Sequence, residues 1–557
     1  NTIIKSFITG LIGIIVLIIN LAASISAEMN NGFFSLFGGS AVAYNIVNLV
    51  CLLASGVIVK DELKKGIFSI LKIRPKTDSA LLIMYLGALA QNIASFFTQL
   101  KTESEYHLLT GAVIILSASV LAAKSFYLDS TRHCFKAVGT TSDKCYLRKI
   151  SDEALISQLL REKNTTETNV VYTGKTRFIS NFLKRSASAA FAGQVSSRVV
   201  VISAVASVIA GLIGLIITKS PVYALGCFTL TSAFSFPISC LIFTGFALSA
   251  ENNALSVKSS FVGSYNDAYS FYCIDDIILK GEDIFSAEVV SSSCNKNIAP
   301  GQAEFCAAVL SDKAGGILGK AFSVYSGGLE DRYPEVEGLS IEDKLGLSAW
   351  ISDCRVLLGT KQLLINHNVE LPEENTVPFV LEENTKPLFL AIEGHFAAVF
   401  TVKYSCHTGA AKSLRSLAAN GANILISILD PNITEEFGED ILGLPRESLR
   451  IMKKDANEDF IKNKNTVTDS EDTGIVFSDS FEAFSRTIEG AVKLEKFRRI
   501  SKTLCEAASI AGMLLGLLLT ATGALSLMCG WPVIFLQVCM VLLSFVVTPV
   551  MAASAVK

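Results

Sequence analysis

The chain has 557 residues and a mass of 59.8 kDa; half of the residues are hydrophobic and only 18% are charged. Soluble globular proteins carry about 25% charged residues, so the composition excludes a wholly soluble or disordered chain. The formal net charge of −3 offers no positive field to nucleic acid, which we exclude as a partner. The thirteen cysteines contain no Cys-x-x-Cys pair, so a zinc module is not predicted.

The hydrophobic residues are concentrated in eight blocks, each about as long as the ~20 residues that a helix needs to cross a bilayer. The sequence predicts membrane-spanning helices at 6–26, 41–59, 80–99, 108–126, 199–218, 221–248, 504–527 and 531–554. The loop 60–79 holds six Lys or Arg residues, whereas 27–39 holds none. The positive-inside rule therefore places this loop and both termini in the cytoplasm. We expect a multi-pass protein of the cell (cytoplasmic) membrane, with the lipid bilayer as a partner.

Two long segments, 127–197 and 250–502, then lie on the cytoplasmic side. In the second, the pattern predicts strands at 270–274, 388–392, 395–401 and 424–429 and a helix at 408–420. This alternation of strands and helices predicts an α/β domain. The intervening stretch, about 285–385, contains a further strand-like run at 349–358. We expect it to be a separate domain inserted into the first.

Aspartates follow two of the predicted strands. Asp275 and Asp276 come after 270–274, and Asp430 comes after 424–429. Ligand sites of parallel sheets lie at the carboxyl ends of the strands, so these carboxylates are candidate site residues. A turn at the end of a strand explains them equally well, because Asp-Pro sequences favour turns.

The order of these elements resembles the heavy-metal branch of the P-type ATPases. Four spans, a small cytoplasmic segment, two spans, a large α/β domain with an insert and two more spans follow one another as in that family. Segments 65–81 and 178–199 resemble its amphipathic platform and the end of its actuator domain. Pro237 lies where the family breaks its ion-site helix.

Motifs of the cytoplasmic domains carry the resemblance further. Gly346 and Gly359 match glycines of the family's nucleotide-binding stretch, which implies nucleotide contact there. The closest match is 387–432, which runs into Asp430, Asn432 and Thr434; Asp430 and Thr434 keep the spacing of the family's Gly-Asp-Asn-x-x-Thr. The resemblance places both residues in the phosphorylation domain.

The resemblance implies a polytopic α-helical membrane protein with eight transmembrane helices. Its cytoplasmic part would be an α/β, haloacid-dehalogenase-like domain that carries an inserted nucleotide-binding-like domain. The implied divisions are four transmembrane helices at 1–126, a reduced actuator-like domain at 127–198, two transmembrane helices at 199–249, a phosphorylation-like domain in two parts at 250–285 and 386–502, its insert at 286–385, and two transmembrane helices at 503–557.

Several catalytic motifs of the family are changed. Asp275 takes the place of the phosphorylated aspartate, but Asp276 replaces the adjacent lysine, and apolar residues replace the Thr-Gly-Thr that contacts phosphate. The family's acidic pair that would hold magnesium has no counterpart, and neither has the actuator's Thr-Gly-Glu-Ser. Only the first two residues of that motif are matched, by the sequence Thr173, Gly174 and Lys175. Phosphoryl transfer depends on neutralising charge at the reacting oxygens. The sequence therefore predicts that each catalytic step has lost a part.

The membrane part is changed as well. The family's Cys-Pro-Cys is Phe236, Pro237 and Ile238 here, which leaves Cys240 as the nearby candidate metal ligand. A buried, unreactive thiol is the other interpretation of Cys240. Glu506, at the edge of the seventh span, is a functional candidate or an interfacial group. A basic cluster before that span is predicted to anchor on anionic headgroups; it consists of Lys493, Lys496, Arg498, Arg499 and Lys502.

The sequence thus predicts a P-type ATPase-like protein of the cation-transporter type that has degenerated. It would perform little or no ATP-driven transport and serve a regulatory or scaffold role. An active cation pump that uses Asp275 as its phospho-acceptor is one alternative, and a membrane sensor that binds a ligand or protein through its insert is another. The implied cofactors are ATP and Mg²⁺, and the implied partners are a metal cation and another membrane protein.

Overall fold

The computed structural model describes residues 2–28, 41–98, 107–139, 144–149, 170–189, 196–272, 276–296, 298–299, 301–327, 332–371, 382–419, 421–452, 468–523 and 530–554. The first half of the chain forms α1 (Thr2–Glu28), α2 (Ala41–Ile58), α3 (Lys60–Leu71), α4 (Thr77–Thr98), α5 (Thr110–Val138), β1 (Lys144–Lys149), β2 (Val170–Ile179), α6 (Phe182–Ala189), α7 (Ser197–Thr218), α8 (Pro221–Phe234) and α9 (Ile238–Ser256).

The second half contains most of the strands and the last two long helices. Its elements are β3 (Phe261–Val262), α10 (Tyr265–Tyr272), β4 (Asp276–Lys280), β5 (Phe285–Cys294), α11 (Gln302–Ala314), α12 (Gly316–Tyr325), β6 (Val336–Glu342), β7 (Gly346–Ile351), β8 (Cys354–Gly359), α13 (Lys361–Asn366), β9 (Thr385–Ile392), β10 (His395–Cys406), α14 (Thr408–Ala419), β11 (Asn423–Ser427), α15 (Glu435–Leu442), β12 (Leu449–Ile451), β13 (Thr468–Glu471), β14 (Ile475–Phe477), α16 (Phe481–Ala521) and α17 (Trp531–Ser554).

The apolar helices form a membrane domain. Within the described residues, seven helices are long and apolar enough to cross a bilayer, and an eighth span results if α2 and α3 count as one span bent by 78°. Each of the eight predicted spans coincides with one of these helices, which confirms the polytopic fold class. The span formed by α8 and α9 is mostly buried among the others, whereas α1, α7 and α17 expose most of their apolar side chains. An apolar surface of this kind is stable in lipid.

One large sheet gathers strands from distant parts of the chain. Its order is β12-β11-β4-β2-β1-β14-β3, with β13 alongside the second half of β2. The strands β12, β11, β4 and β2 are parallel to one another. Ile278 and Ile424 are fully buried, as parallel strands covered on both faces require. The pairing of β4 with β11 confirms that residues on both sides of the insert complete one sheet.

The described strands between the fourth and fifth spans belong to this same sheet. β2 lies beside β4, with Val171 opposite Ile277, and β1 lies beside β14. The sequence predicts a reduced actuator-like domain at 127–198; the described strands of this segment form no sheet of their own. Val170 and Val171 are fully buried in the joint sheet. An unpaired edge of β4 is avoided in this way.

The insert is a second, antiparallel sheet with the order β5-β10-β9-β8-β7-β6. The helices α11 and α12 cover it, and Phe322 of α12 packs edge-on against Phe400 with ring centroids 5.1 Å apart. The sequence predicts that the insert ends at 385, with 386–406 in the phosphorylation-like domain. This boundary is wrong, because β9 and β10 pair with β8 and β5 and extend the insert's sheet to Cys406.

A predicted strand at 270–274 is wrong as far as it is described, because α10 extends to Tyr272. Tyr265, Ala268 and Phe271 are buried and recur at every third position, which is helical spacing. The side chain of Ser264 accepts a hydrogen bond from the backbone N–H of Asp267 and caps the helix (3.2 Å). The strand follows instead as β4.

The predicted single strand at 349–358 is also wrong, since these residues form the hairpin of β7 and β8. Ser352 and Asp353 have φ angles of 47° and 65°. Two consecutive residues with positive φ are the geometry of a tight two-residue hairpin turn. The other predicted strands, at 388–392, 395–401 and 424–429, coincide with β9, β10 and β11, and the predicted helix at 408–420 coincides with α14.

Candidate functional site

A cavity of about 630 Å³ opens at the carboxyl end of β4. Its walls are Leu279 and Lys280 of β4, the segment Thr173 to Lys175 of β2, and the first residues of α14 and α16. Parallel sheets bind their ligands beyond the carboxyl ends of the strands, and the volume suits a small molecule. The topology therefore makes this cavity the candidate functional site.

The charges around the cavity are mixed, with an acidic excess. Among the described residues that line it, two lysines face four carboxylates: Lys175 and Lys280 against Glu282, Asp283, Asp479 and Glu482. The N-termini of α14 and α16 add partial positive charge. A polyphosphate requires a surplus of donors and cations, so this wall is a poor match for one.

Lys175 is bound to Asp479 by an ion pair inside the cavity. The Lys175 ammonium holds the pKa of Asp479 below its usual range, mainly through this hydrogen bond. Beside them, the Cys145 Sγ lies 3.5 Å from Asp479 Oδ1. Burial, together with the nearby carboxylate, raises the pKa of Cys145 to about 12. Cys145 is therefore a neutral thiol and not a nucleophilic thiolate.

Asp276, one of the two aspartates that the sequence nominates for phosphorylation, lies at the opposite end of β4. Asp276 is the first residue of that strand and lies opposite Asn423, the first residue of β11. Five residues of strand separate its Cα from that of Lys280 by about 13 Å. Asp275 precedes Asp276 in the chain and lies outside the described residues. The carboxyl end of β4 bears Lys280, so the direction of the strand does not support the assignment of Asp276 to a catalytic edge. The role of Asp275 stays a prediction.

Asp430 follows β11 and lies in a buried hydrogen-bond network. The Tyr404 hydroxyl donates to its carboxylate, at 2.9 Å from Oδ2 and 3.1 Å from Oδ1. The backbone N–H of Asn432 also donates to Oδ1, at 2.9 Å. Tyr404 belongs to β10 of the insert, so this network joins the two sheets. Burial raises the pKa of Asp430 to about 7.

Substituting Asp430 by asparagine is expected to stabilise the protein above pH 7. The folded state holds a proton on Asp430 up to about pH 7, whereas an unfolded aspartate releases it near pH ~4. Stability therefore falls as pH rises from 4 to 7 and stays low above that. In Asp430→Asn this decline disappears, with a gain on the order of 4 kcal/mol at pH 8. Thermal unfolding of detergent-purified protein at pH 5 and pH 8 measures it.

The exposed carboxylate of Asp312 provides the control for this experiment. Asp312→Asn should leave the pH profile of the wild type unchanged. A profile for Asp430→Asn that parallels the wild type between pH 4 and 8 would show that Asp430 is not the titrating group.

Thr434 begins α15. Its side chain accepts a hydrogen bond from the backbone N–H of Phe437 (3.3 Å). This is the ordinary capping role of threonine at a helix N-terminus. The spacing of Asp430 and Thr434 therefore has a structural reason in this fold, and a part in phosphoryl transfer stays a prediction.

Gly346 and Gly359 lie opposite each other in the hairpin of β7 and β8. A Cβ on Gly346 would lie 2.4 Å from the Leu358 carbonyl oxygen, and one on Gly359 would lie 2.2 Å from that of Leu345. Both would also clash with the Leu363 side chain. Close packing thus accounts for both glycines, and their contact with a nucleotide stays a prediction.

Arg185 fastens the segment after β2 to the large sheet. Its guanidinium donates from Nη1 to Asp267 (2.6 Å) and from Nη2 to the backbone carbonyl of Asp472 (3.0 Å), and it also pairs with the Asp472 carboxylate. Ser264 Oγ donates to the other oxygen of Asp267 at 2.6 Å. Asn181 adds a bond to Asp472 at 3.1 Å. The segment is therefore held at two elements, α10 and the β13–β14 connection.

In the membrane, the span Pro221–Ser256 is interrupted where the sequence predicts a break. α8 ends at Phe234 and α9 begins at Ile238, with Pro237 between them. Cys240 is fully buried, in an apolar cluster with Val200 and Cys505. Within the described part of the chain, no group of three or more His, Cys, Asp or Glu side chains could hold a metal ion. A metal at Cys240 stays a prediction.

Glu506 has a structural partner at the membrane edge. Its Oε1 accepts the backbone N–H of Ser196, which immediately precedes α7, at 2.7 Å. A carboxylate at a helix N-terminus is stabilised by the unpaired N–H groups there. This contact accounts for Glu506 without a role in transport.

The basic cluster before the seventh span is largely occupied by contacts within the protein. Arg498 and Arg499 both bind the carboxylate of Glu495, which is fully buried. Lys493 pairs with Glu251 at 2.8 Å. Headgroup anchoring by the whole cluster is therefore not supported, because three of its five cations stabilise the protein itself.

The sequence nominates neither Lys280, which lines the cavity, nor Arg185, which anchors the segment after β2. The resemblance aligns 275–281, which includes Lys280, with the family's phosphorylation motif, whereas the apolar run 277–279 is typical of a strand that begins at Asp276. Nothing in the local sequence around Arg185 indicates its role, because the aspartates that it binds, Asp267 and Asp472, are 82 and 287 positions away. Contacts of that range follow only from the fold.

Comparisons with solved structures return the kind of protein that the sequence resembles. The chain is similar to a zinc-transporting PIB-type ATPase in its E2.Pi state, at 11% identity and a TM-score of 0.44, over 96% of this chain and 98% of that one. A second structure of a zinc-transporting PIB-type ATPase, in another state, gives 13% identity and a TM-score of 0.41, over 94% and 99%. The catalytic domain of the CPx-ATPase CopB-B is similar at 17% identity and a TM-score of 0.24, over 39% of this chain and 77% of that one. No protein-family model and no curated protein matches the chain.

Proposed function

We propose that this protein is an integral membrane protein on the plan of the heavy-metal P-type ATPases that performs little or no ATP-driven transport. Its role would be regulatory or that of a scaffold. The observation that carries the proposal is the direction of β4, which begins at Asp276 and ends at Lys280. An ammonium group cannot accept a phosphoryl group to give an aspartyl phosphate, and no such acceptor follows on β4 itself.

The position of β2 supports the same proposal. A dephosphorylating domain must approach and leave the phosphorylation site, as the resemblance implies for the actuator. Here β2 is hydrogen-bonded into the sheet beside β4, and Arg185 ties the following helix to Asp267 and Asp472. Separating them would break strand pairing and a half-buried ion pair together, so an independent motion of this segment is costly.

The residues present do not fit the family's cofactors. A magnesium site needs converging oxygen ligands, and among the described residues no acidic group of three or more is so placed. In the cavity, ATP would face a wall with more carboxylates than lysines. In the insert, the space beside Gly346 and Gly359 is already filled by the backbone and by Leu363. We therefore derive no step through ATP or Mg²⁺.

We also propose how the protein is oriented in the membrane. The bend between α2 and α3 is followed by the basic loop, with Lys64 and Lys65 on α3 and Arg74 beyond it. We propose that this side, both sheets and both termini face the cytoplasm. A regulatory role needs a partner, and we propose another protein of the same membrane.

The purified full-length protein is expected to form no acid-stable, hydroxylamine-sensitive phosphoenzyme with labelled ATP, whichever metal is added. An active pump should show label that disappears in Asp275→Asn, because an acyl phosphate there would depend on that carboxylate. The measurement is labelled protein per chain after acid quenching. Asp353→Asn, at an exposed hairpin turn, is the control for non-specific label.

The two outcomes separate the alternatives. Label that survives in Asp353→Asn and is lost in Asp275→Asn supports the cation pump. Label at the level of a boiled sample with zinc, copper, cadmium or cobalt ions supports the degenerate protein.

A further inference from the structure

Buried polar side chains form a belt across the first four spans, at the end of this helix bundle remote from α3. The belt joins α1, α2, α4 and the start of α5, and none of its members is more than 4% exposed. Polar groups inside a bilayer are rare and require partners. The members of this polar belt are Asn20, Ser24, Tyr44, Asn45, Asn48, Gln91, Asn92, Ser95, His107 and Thr110.

Hydrogen bonds connect the helices within the polar belt. The Tyr44 hydroxyl donates to Asn20 Oδ1 at 3.0 Å, and Asn20 Nδ2 donates to the Leu108 carbonyl at 3.1 Å. From α4, Asn92 Nδ2 donates to Thr110 Oγ1 at 2.8 Å. Leu108 and Thr110 are two residues apart, so side chains of α1, α2 and α4 meet where α5 begins.

Among the described residues, three amide oxygens of the polar belt lack a hydrogen-bond donor: Oδ1 of Asn45, Asn48 and Asn92. The amide orientation is fixed in two of them. Asn48 Nδ2 donates to the Tyr44 carbonyl at 3.0 Å, and Asn92 Nδ2 donates to the Ala88 carbonyl at 2.8 Å, so the remaining atom must be the acceptor oxygen. Buried polar groups are almost always hydrogen-bonded. Three exceptions in one belt indicate a bound species.

The register of α2 against α4 brings the three oxygens to the same depth. These helices cross the membrane in opposite directions, and the Tyr85 hydroxyl of α4 donates to the Leu52 carbonyl of α2. Asn92 lies two turns beyond Tyr85 on the same face, about 10 Å along α4. Asn48 and Asn45 lie one and two turns from Leu52 in the same direction, about 6 and 10 Å along α2. All three side chains therefore lie at the contact of α2 with α4.

We propose that the polar belt binds one alkali cation, Na⁺ or K⁺, between α2 and α4. Neutral oxygens of this kind replace the hydration shell of such ions inside membrane proteins. Among the described members of the belt there is no carboxylate to compensate a divalent ion and no sulfur to select a soft one. The site is separate from the interrupted span at Pro237 and from both sheets, so the inference goes beyond the proposed function.

The purified full-length protein in detergent should unfold at a higher temperature in sodium or potassium chloride than in choline chloride of equal ionic strength. A ligand of the folded state stabilises it, whereas choline is too large for the site. The midpoint should rise with the concentration of the effective salt and then level off. In a scintillation proximity assay, labelled Na⁺ or labelled Rb⁺, which stands for K⁺, should bind and saturate at one ion per chain.

Asn48→Leu keeps much of the side-chain volume and removes one of the three oxygens. It should abolish the saturable binding and the response of the midpoint to salt. Gln91→Leu is the matched control in the same belt, because its Oε1 already accepts the Leu109 N–H at 3.4 Å. Its midpoint should still rise with the effective salt. Should Asn48→Leu fail to fold, Asn45→Leu takes its place.

Two results would overturn the inference. One is equal midpoints in the three salts together with no saturable binding of either label, since the belt would then hold nothing but water. The other is binding of wild-type affinity in both Asn48→Leu and Asn45→Leu, because the ion would then lie elsewhere. Neither measurement involves ATP, so failure of this inference leaves the outcome of the phosphoenzyme experiment unaffected.

Discussion

Replacing Gly474 by alanine is expected to destabilise the joint sheet by about 3 kcal/mol. A Cβ at this position would lie 1.9 Å from Cγ of Asp267, within the carboxylate that holds Arg185. Asp267 is buried against Gly474, and burial raises its pKa while Ser264 and Arg185 lower it. Displacing it leaves a buried carboxyl group with fewer donors, and the segment around Arg185 loses one of its two anchors.

Tryptic cleavage after Lys184 measures this release. A loss of about 3 kcal/mol corresponds to a rise of about a hundredfold in the open population, and cleavage follows that population when opening is fast. Gly409→Ala is the control, because a Cβ there meets nothing within 4 Å. Equal cleavage rates in Gly474→Ala and Gly409→Ala would contradict the close approach of Gly474 to Asp267.

Glu495→Leu is expected to cost about 3–5 kcal/mol of stability, because it breaks a buried ion pair and leaves the cations behind. The carboxylate is fully buried and binds Arg498 through both oxygens, at 2.6 and 2.7 Å, and Arg499 at 2.9 Å. The Arg499 guanidinium lies 4.2 Å from the centre of the Tyr272 ring. The substitution therefore also loosens the contact of α16 with α10, the helix that leads to β4.

The midpoint of thermal unfolding in detergent should drop by several degrees. Glu482→Leu is the control: its carboxylate also pairs with two cations, Lys258 and Arg486, but at an exposed site, where ion pairs contribute little. Glu495→Leu combined with Arg498→Leu should recover part of the loss, since one uncompensated cation is removed. Indistinguishable midpoints for Glu495→Leu and Glu482→Leu would exclude a buried pair.

The membrane topology can be predicted from the sequence because its signal is local. Eight apolar blocks are each long enough to span a bilayer, and Pro237 interrupts one of them whatever surrounds it. The α/β character is equally accessible, since 424–429 is an uninterrupted apolar run of strand length. The same alternation predicts the insert, although it sets the boundary before β9 and β10.

The site cannot be predicted in the same way, because it depends on long-range pairing. Moving the start of the strand from 270 to Asp276 reverses the edge on which the aspartates lie, and the helical spacing of Tyr265, Ala268 and Phe271 is the signal that decides it. The place of β2 beside β4 has no local signal. Gln537 does have a local signal, because it is a lone amide in an apolar span. Its hydrogen-bond acceptors, the backbone carbonyls of Ala233 and Phe234, lie some 300 positions away.

The helix α16 is a single element of 41 residues, about 60 Å long at 1.5 Å per residue. Its first turn lines the cavity at the end of β4, its middle carries Glu495, and Gly512 touches the interrupted span. A stiff rod transmits tilt and rotation along its whole length. A tilt imposed on its first turn at the cavity would therefore reach the interrupted span inside the bilayer, some 45 Å away along the helix.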